Sequence, residues 1–236
     1  MRMGDFFTSQ KTEPPVLTPL GLVLMLLALF IVIYSASRFY KQKSFQRIFQ
    51  GLQIVQLVLL YGWYMSTQAP LTESLPFYHC RIAMFAVLLL PRRTSYKQYF
   101  ALLGVFGPIC ALLHPIFDPY PLPHITLFSY LVGHLALLGN SIVYLMNEFD
   151  YKILSNRRII EITFGMNAVI FLVNQLTGGD YGFLKNPPLV GDYGMLGNFL
   201  LVSSVLVVAL CGFSLLFKRL KEAQENRIFL LKDWRE

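Results

Sequence analysis

The chain has 236 residues, is 55% hydrophobic and only 14% charged, and carries a formal net charge of +7. The basic excess does not indicate nucleic-acid binding, because the sequence contains no basic and aromatic recognition module. The basic residues instead alternate with long apolar runs, a pattern that indicates a membrane protein.

Seven apolar runs follow one another along the chain, each close to the length of about 20 residues that crosses a bilayer. They cover Val16–Ser37, Ile48–Met65, Leu75–Leu90, Tyr99–His114, Ile125–Met146, Ile159–Gln175 and Phe199–Phe217. Lipid offers no partner to unpaired backbone groups, so such runs form helices. The sequence therefore predicts an all-α, polytopic membrane bundle of seven transmembrane helices. It predicts a single domain over residues 1–236, in which the bundle at 16–217 lies between tails at 1–15 and 218–236.

The positions of the basic residues predict how the bundle is oriented. Sixteen of the 20 Lys and Arg residues fall in the gaps after the first, third and fifth runs and in the tail after the seventh. Cytoplasmic loops collect Lys and Arg, so we expect the N-terminus outside and the C-terminus in the cytoplasm of a multi-pass cell-membrane protein. The first run is longer than the apolar part of a signal peptide and basic residues follow it, so we expect it to be retained.

Two predicted outer loops and both tails lack the long apolar pattern. Residues 1–15 are polar and are predicted to be an exported tail. The loop at 114–124 has four prolines in eleven residues, which excludes a regular helix. The loop at 176–198 is rich in Gly, Pro and aromatic residues, and is either a lid over an outward cavity or a surface loop. The tail at 218–236 is either a short interfacial helix or a frayed end.

Cys80 in the third run and His134 in the fifth are predicted to lie at nearly the same depth. Counted from the cytoplasmic boundary, they lie roughly 18 and 20 Å into a core about 30 Å thick. A thiol beside an imidazole is the minimal arrangement for nucleophilic acyl transfer, because the imidazole accepts the thiol proton. Asn174, at roughly 24 Å, is placed to orient the imidazole or to donate to an oxyanion. The alternative is that Cys80 fills space and His134 bonds neighbouring helices.

Arg81 follows Cys80 in the third run, where an uncompensated cation is costly in lipid. Its side chain is therefore expected to face the bundle interior or a wet cavity. No acidic residue of the bundle is predicted at its depth, so Arg81 is a candidate to hold an anionic group such as a lipid phosphate. The alternative is an ion pair with Asp180 or Asp192, if the second outer loop folds back.

Gln50, Gln53 and Gln56 form a polar stripe on the second run, at a spacing of three residues. Interhelical hydrogen bonding explains such a stripe better than cavity lining does. We therefore expect these amides to bond to neighbouring helices.

Several of these residues belong to motifs that resemble a known family. The motifs are Leu-Pro-Phe-Tyr-His-Cys at 75–80, the Pro/Tyr/His loop that ends at His124, Gly133-His134, and Asn174 with Gly-Gly-Asp-Tyr-Gly-Phe-Leu-Lys-Asn-Pro at 178–187. Over nearly the whole chain, the sequence is similar to the YwaF-like bacterial integral membrane proteins. These small multi-pass proteins are distantly similar to a eukaryotic membrane acyltransferase that acts on ether phospholipids.

The resemblance implies phospholipid acyl transfer by a membrane enzyme, with Cys80 and His134 as the catalytic residues. We expect a set of outward residues to bind the substrate: Arg81, His79, His124, Asn174, Asp180 and Tyr181. The expected partners are membrane lipids, chiefly phospholipids, and no cofactor or metal is expected. The oligomeric state is open.

Two other functions remain open from the sequence. The first is a non-enzymatic seven-helix sensor or small-molecule transporter with the same outward-facing polar cavity. The second is a metal site formed by His79, Cys80, His114 and His124. The metal site is disfavoured because adjacent His79 and Cys80 point about 100° apart on a helix, and because HExxH and paired CxxC spacings are absent.

Overall fold

The computed structural model describes residues 6–188 and 191–233, and the side chains of these residues as far as residue 226. Within this part of the chain the protein is helical and contains no β-strand. Residues 1–5 of the predicted exported tail and 234–236 of the predicted cytoplasmic tail lie outside the described residues. Leu189 and Val190 of the second outer loop also lie outside them.

Seven α-helices of the described residues correspond to the seven apolar runs. They are α1 (Pro19–Phe39), α2 (Lys43–Ser66), α3 (His79–Leu89), α4 (Ser95–Leu113), α5 (Ile125–Glu148), α6 (Asn156–Thr177) and α7 (Gly194–Asp233). A short 3₁₀ helix, Tyr181–Phe183, lies between α6 and α7. The all-α fold predicted from the sequence is confirmed, and the proline-rich loop at 114–124 contains no helix.

Most helices extend beyond the apolar runs that predicted them. α2 begins at Lys43 rather than Ile48, and α7 continues to Asp233 rather than ending at Phe217. An apolar run marks only the part of a helix that suits hydrocarbon, whereas backbone hydrogen bonding continues into the polar ends. The predicted C-terminal tail is therefore, as far as Asp233, a continuation of the seventh helix.

Hydroxyl caps set where α1, α4 and α6 begin. Thr18, Thr94 and Ser155 each accept a hydrogen bond from the backbone N–H three residues later, at 3.1, 3.2 and 3.4 Å. Such a cap satisfies one of the N–H groups that a helix leaves unpaired at its start.

The third helix differs most from its prediction. Six helices of the described residues are long and apolar enough to cross a membrane, but α3 has only 11 residues. At about 16 Å it covers roughly half of a 30 Å hydrocarbon core. It begins at His79 rather than Leu75, because the Tyr181 hydroxyl accepts the Leu75 N–H at 2.9 Å and donates to the Leu71 carbonyl at 2.7 Å. The start of the third run, residues 75–78, is therefore irregular.

α5 is the central helix of the bundle and packs against α1, α2 and α4. Its side chains at Ala136, Leu137 and Leu138 are fully buried. The outer helices α1, α6 and α7 instead expose large apolar residues. They include Leu20, Phe30, Leu172 and Val208. Apolar helix faces of this extent are the surface that lipid covers.

Contacts join the ends of α1, α3, α5 and α7 at one face of the bundle. The Asn147 amide donates to the Tyr40 carbonyl at 2.8 Å, and Lys221 donates to the Asn147 carbonyl at 2.9 Å. The Tyr144 hydroxyl donates to the Arg92 carbonyl. The basic gaps after these four helices therefore meet at the same end, which we call the basic end.

Residues 6–12 of the predicted N-terminal tail pack against the opposite end of the bundle. The Trp63 indole N–H donates to the Phe7 carbonyl at 3.0 Å, and the His124 imidazole donates to the Thr8 carbonyl at 3.0 Å. The start of the described chain is therefore anchored to α2 and to the first turn of α5.

Candidate functional site

Cys80 lies in the first turn of α3 and faces α4. A Cβ atom placed on Gly107 of α4 would lie only 2.6 Å from the Cys80 sulfur. The thiol therefore occupies space that is available because position 107 has no side chain. Cys80 is free and only partly buried, so part of its surface borders space that protein atoms do not fill.

His134 lies on α5, and a hydrogen bond fixes its tautomer. Its Nδ1–H donates to the Tyr130 carbonyl, one turn earlier, at 2.6 Å. The Tyr130 ring packs against the imidazole at 4.6 Å between centroids, and its hydroxyl donates to the Ala111 carbonyl of α4 at 2.5 Å. In the neutral imidazole Nδ1 carries the proton, so Nε2 has a free lone pair.

The helices that carry Cys80 and His134 meet close to both residues. A Cβ atom on Gly133 would lie 3.0 Å from the Met84 side chain. Met84 is one turn from Cys80, and Gly133 is the neighbour of His134. The two groups therefore lie near the same α3–α5 contact, but no hydrogen bond joins the thiol to the imidazole in the described structure.

Arg81 is surrounded by tyrosines rather than by carboxylates. Its guanidinium lies 5.1 Å from the Tyr64 ring centroid and 5.3 Å from that of Tyr78, and Nη2 donates to the Tyr64 hydroxyl at 2.8 Å. Its Nη1 is buried without a hydrogen-bond partner, and so is the nearby Tyr61 hydroxyl. Among the described residues no acidic side chain forms an ion pair with Arg81.

The predicted alternative, an ion pair between Arg81 and an acidic residue of the loop at 176–198, does not form among the described residues. Asp180 accepts hydrogen bonds from the Lys185 and Asn186 backbone N–H groups at 2.8 and 3.1 Å. Asp192 accepts one from the Gly194 N–H at 2.8 Å. Both carboxylates therefore stabilise turns of their own loop.

His79 points away from Cys80, towards α6 and α7. Its Nε2–H donates to the Asn167 amide oxygen at 2.7 Å, and the Asn167 amide nitrogen donates to the Ser203 hydroxyl at 2.9 Å. Asn167 and Ser203 are fully buried. Sequence reasoning missed both, although a polar residue inside an apolar run is the signal that would have found them.

The sequence model of the TMEM164 family matches residues 6–218, a span that includes every candidate site residue described above. The chain belongs to the TMEM164 family. Neither a curated protein nor a solved structure matches it. Membership of the TMEM164 family, together with the six apolar helices, establishes an integral, multi-pass membrane protein.

In this TMEM164-family protein, Asn174 and Tyr181 fold the second outer loop back into the bundle. The Asn174 side chain accepts the Tyr181 N–H at 2.8 Å and donates to the Tyr181 carbonyl at 2.9 Å. Both residues are buried. Gly178 ends α6 in the left-handed conformation at φ 78°, which glycine adopts without strain. Residues 179–184 of the loop are therefore packed into the end of the bundle opposite the basic end, whereas residues 191–196 are exposed.

His124 caps α5 with its ring. The Thr126 N–H donates to Nδ1 at 3.3 Å while Nε2–H donates to Thr8, and the ring stacks on Tyr120 at 4.3 Å. Burial lowers the pKa of His124, and the hydrogen bond to Thr8 partly opposes this effect. His124, Asn174 and Tyr181 thus use their polar atoms within the protein, and their predicted contact with substrate stays a prediction.

The structure separates the residues that the metal hypothesis combined. His79 bonds to Asn167, and His124 bonds to Thr8 and Thr126. Among the described residues no group of three His, Cys, Asp or Glu side chains is placed to hold a metal ion.

The polar stripe of α2 is only partly paired. The Ser129 hydroxyl donates to the Gln56 amide oxygen at 2.7 Å, which confirms an interhelical bond for Gln56. Both amide atoms of Gln53 are buried without a partner. Gln50 lines a pocket at the basic end.

Proposed function

We propose that this TMEM164-family protein is a phospholipid acyltransferase, with Cys80 as the nucleophile and His134 as its base. The observation that carries the proposal is the hydrogen bond from His134 Nδ1 to the Tyr130 carbonyl. It orients the imidazole and leaves Nε2 as the proton acceptor, which is the role a base beside a thiol requires. The position of Cys80 beside Gly107, near the α3–α5 contact, supports the same assignment.

The proposed reaction has two acyl transfers. His134 accepts the Cys80 proton, and the thiolate attacks the ester carbonyl of a phospholipid. A carbon–sulfur bond forms, the ester carbon–oxygen bond breaks, and the leaving alcohol takes the proton from His134. The hydroxyl of an acceptor lipid then attacks the thioester while His134 accepts its proton. Cys80 leaves as the thiol and takes that proton back.

Arg81 is proposed to hold the phosphate of the lipid. A guanidinium binds phosphate through paired N–H groups. Arg81 Nη1 and the Tyr61 hydroxyl are both buried without a partner, and the Tyr61 ring packs at 5.7 Å against that of Tyr64, which Arg81 contacts. Both groups donate hydrogen bonds, as a phosphate oxygen requires.

The proposed location of the reaction in the membrane follows from the orientation of the basic end. If the basic end lies in the cytoplasm of a cell-membrane protein, as the positive-inside rule predicts, then Cys80 lies in the outer leaflet. A phospholipid would then reach Cys80 sideways from the membrane, and the partners of the protein are lipids.

The test uses purified protein and a phospholipid with a labelled acyl chain. Cys80→Ser and His134→Gln are expected to lower acyl transfer by about 100-fold or more. Cys110→Ser, on α4, is the matched control and should keep wild-type transfer. A hydroxylamine-sensitive acyl label on Cys80 identifies the thioester. Wild-type transfer in both the Cys80 and His134 variants would refute the proposal.

A non-enzymatic sensor or small-molecule transporter is the second candidate. It is favoured because no hydrogen bond joins the thiol to the imidazole in the described structure. Arg81 and Tyr61 can bind an anion without the thiol or the imidazole. This function predicts reversible phospholipid binding that survives Cys80→Ala and is lost in Arg81→Met. Turnover that depends on Cys80 would exclude it.

A further inference from the structure

A polar cavity lies at the basic end, away from Cys80. It has a volume of about 900 Å³ and is bordered by the α1–α2 junction, the α3–α4 loop and the end of α5. Cavities of this size hold small-molecule ligands. The α3 residues that border it, Val87 and Leu88, lie two turns from Cys80, about 10 Å along the helix.

Six cationic side chains converge on this cavity. They are Lys41, Lys43, Arg47, Arg92, Arg93 and Lys97. They come from two separate parts of the chain, residues 41–47 and 92–97, so the cavity gathers charge from two gaps between apolar runs. Only two acidic residues, Glu148 and Asp150, share its lining.

The acidic residues leave most of this charge unneutralised. Glu148 lies 3.7 Å from Arg92 Nη1, the only ion pair that the six cations form in the described structure. Asp150 accepts the Lys152 backbone N–H at 2.8 Å and stabilises a turn. Lys97 is buried, donates to the Leu90 carbonyl at 2.8 Å, and lies over the Tyr144 ring.

Hydrogen bonds between helices hold the walls of the cavity. Gln46 of α2 and Asn147 of α5 both donate to the Tyr40 carbonyl, at 2.7 and 2.8 Å. Asn140 of α5 donates to the Phe49 carbonyl of α2 at 3.0 Å. The helices that carry the cations are therefore held together by hydrogen bonds, which lowers the entropic cost of ordering the cations around a ligand.

Membrane topology alone does not explain this convergence. The positive-inside rule requires basic residues near helix ends, and exposed Arg38, Lys152 and Arg219 meet that requirement outside the cavity lining. A cluster of unneutralised cations in one cavity is suited to binding phosphate, because Arg and Lys bind phosphate oxygens strongly.

We infer that this cavity binds an anion with two or more phosphate charges. The ligand is either the headgroup of a membrane lipid or a soluble phosphate ester. Its site is separate from the proposed acyl-transfer site, so it does not depend on the chemistry of Cys80.

The test measures binding to full-length purified protein. The probes are inorganic pyrophosphate for a soluble ligand, and vesicles with phosphatidylinositol bisphosphate, compared with pure phosphatidylcholine, for a lipid. The combined variant Lys43→Gln, Arg47→Gln and Arg93→Gln removes three cavity cations. The combined control Arg38→Gln, Lys152→Gln and Arg219→Gln removes three cations from the same end without touching the cavity. Gln50→Glu adds an acid to the lining, and Gln175→Glu at the opposite end is its control.

The inference predicts that the cavity variant and Gln50→Glu weaken binding by about tenfold or more, while both controls change it by less than about threefold. Binding of pyrophosphate assigns a soluble source, and binding of the inositol lipid without pyrophosphate assigns a headgroup. Should the combined cavity variant fail to fold, the comparison of Gln50→Glu with Gln175→Glu tests the inference. The inference is overturned if neither probe binds, or if the controls weaken binding as much as the cavity variants.

Discussion

His79 and Cys80 are neighbours in the chain, but they contact different helices. The His79 imidazole donates to Asn167 at 2.7 Å, whereas the Cys80 sulfur packs against Gly107 of α4. A helix turns about 100° per residue, so adjacent side chains cannot share one face. This divergence anchors the first turn of α3 between α4 on one side and α6 and α7 on the other. The proposed nucleophile is thus positioned by a neighbour that takes no part in its chemistry.

Gly107→Ala tests the contact that receives the thiol. The added methyl group would lie 2.6 Å from the Cys80 sulfur, so α3 or α4 must shift, and we expect a loss of stability of about 1–3 kcal/mol. Thermal unfolding in detergent measures the change. In the control Gly62→Ala the methyl group meets nothing within 4 Å, and a gain of up to about 1 kcal/mol is expected. Equal melting temperatures for the two variants would contradict the contact.

Asn167→Leu tests the buried polar chain. The substitution leaves the His79 N–H and the Ser203 hydroxyl without their partner, and a buried group that loses its hydrogen bond costs about 1–3 kcal/mol. Thermal unfolding again provides the measurement. Asn226→Leu, at an exposed position on α7, is the control and should change stability little. A double-mutant cycle with His79→Phe should show strong coupling, and additive effects would argue against the chain.

Tyr181→Phe tests how the second outer loop is held. The Tyr181 hydroxyl bonds to the backbone of Leu75 and Leu71, so its removal leaves both groups unpaired at the end of the bundle opposite the basic end. We expect proteolysis and hydrogen exchange within the loop to accelerate, because the local free energy of opening falls by about 1–3 kcal/mol. Tyr193→Phe removes the hydroxyl of a tyrosine that is 69% exposed, and should leave the loop protected. Unchanged protection in Tyr181→Phe would be inconsistent with this role.

The His124 cap predicts that stability depends on pH. Burial holds the pKa of His124 below its ordinary value of about 6.5, so the folded state favours the neutral ring whose Nδ1 accepts the Thr126 N–H. Stability is therefore full above about pH 6.5 and declines below it, as the unfolded chain takes up a proton that the folded chain does not. Melting temperatures between pH 7.5 and 5 measure the decline. It should diminish in His124→Asn and persist in His114→Asn, which changes an exposed residue.

Part of the candidate site could be predicted from the sequence. Cys80, Arg81 and His134 are chemically distinctive residues within apolar runs, and counting residues along a helix places them in the same half of the membrane. The partners of Arg81 could not be predicted in this way. Tyr64 contacts it from α2 across a loop, and side-chain direction between helices depends on how the helices rotate and tilt against each other.

Helix formation and membrane insertion were determined by the sequence alone, because hydrophobicity and backbone hydrogen bonding in lipid act over one segment at a time. The shortening of α3 was decided by the tertiary structure. The Tyr181 hydroxyl binds the backbone at Leu71 and Leu75 from more than 100 positions away. The convergence of basic residues on one cavity has the same origin. Both features depend on long-range packing, in which each contact is available only after several helices have assembled.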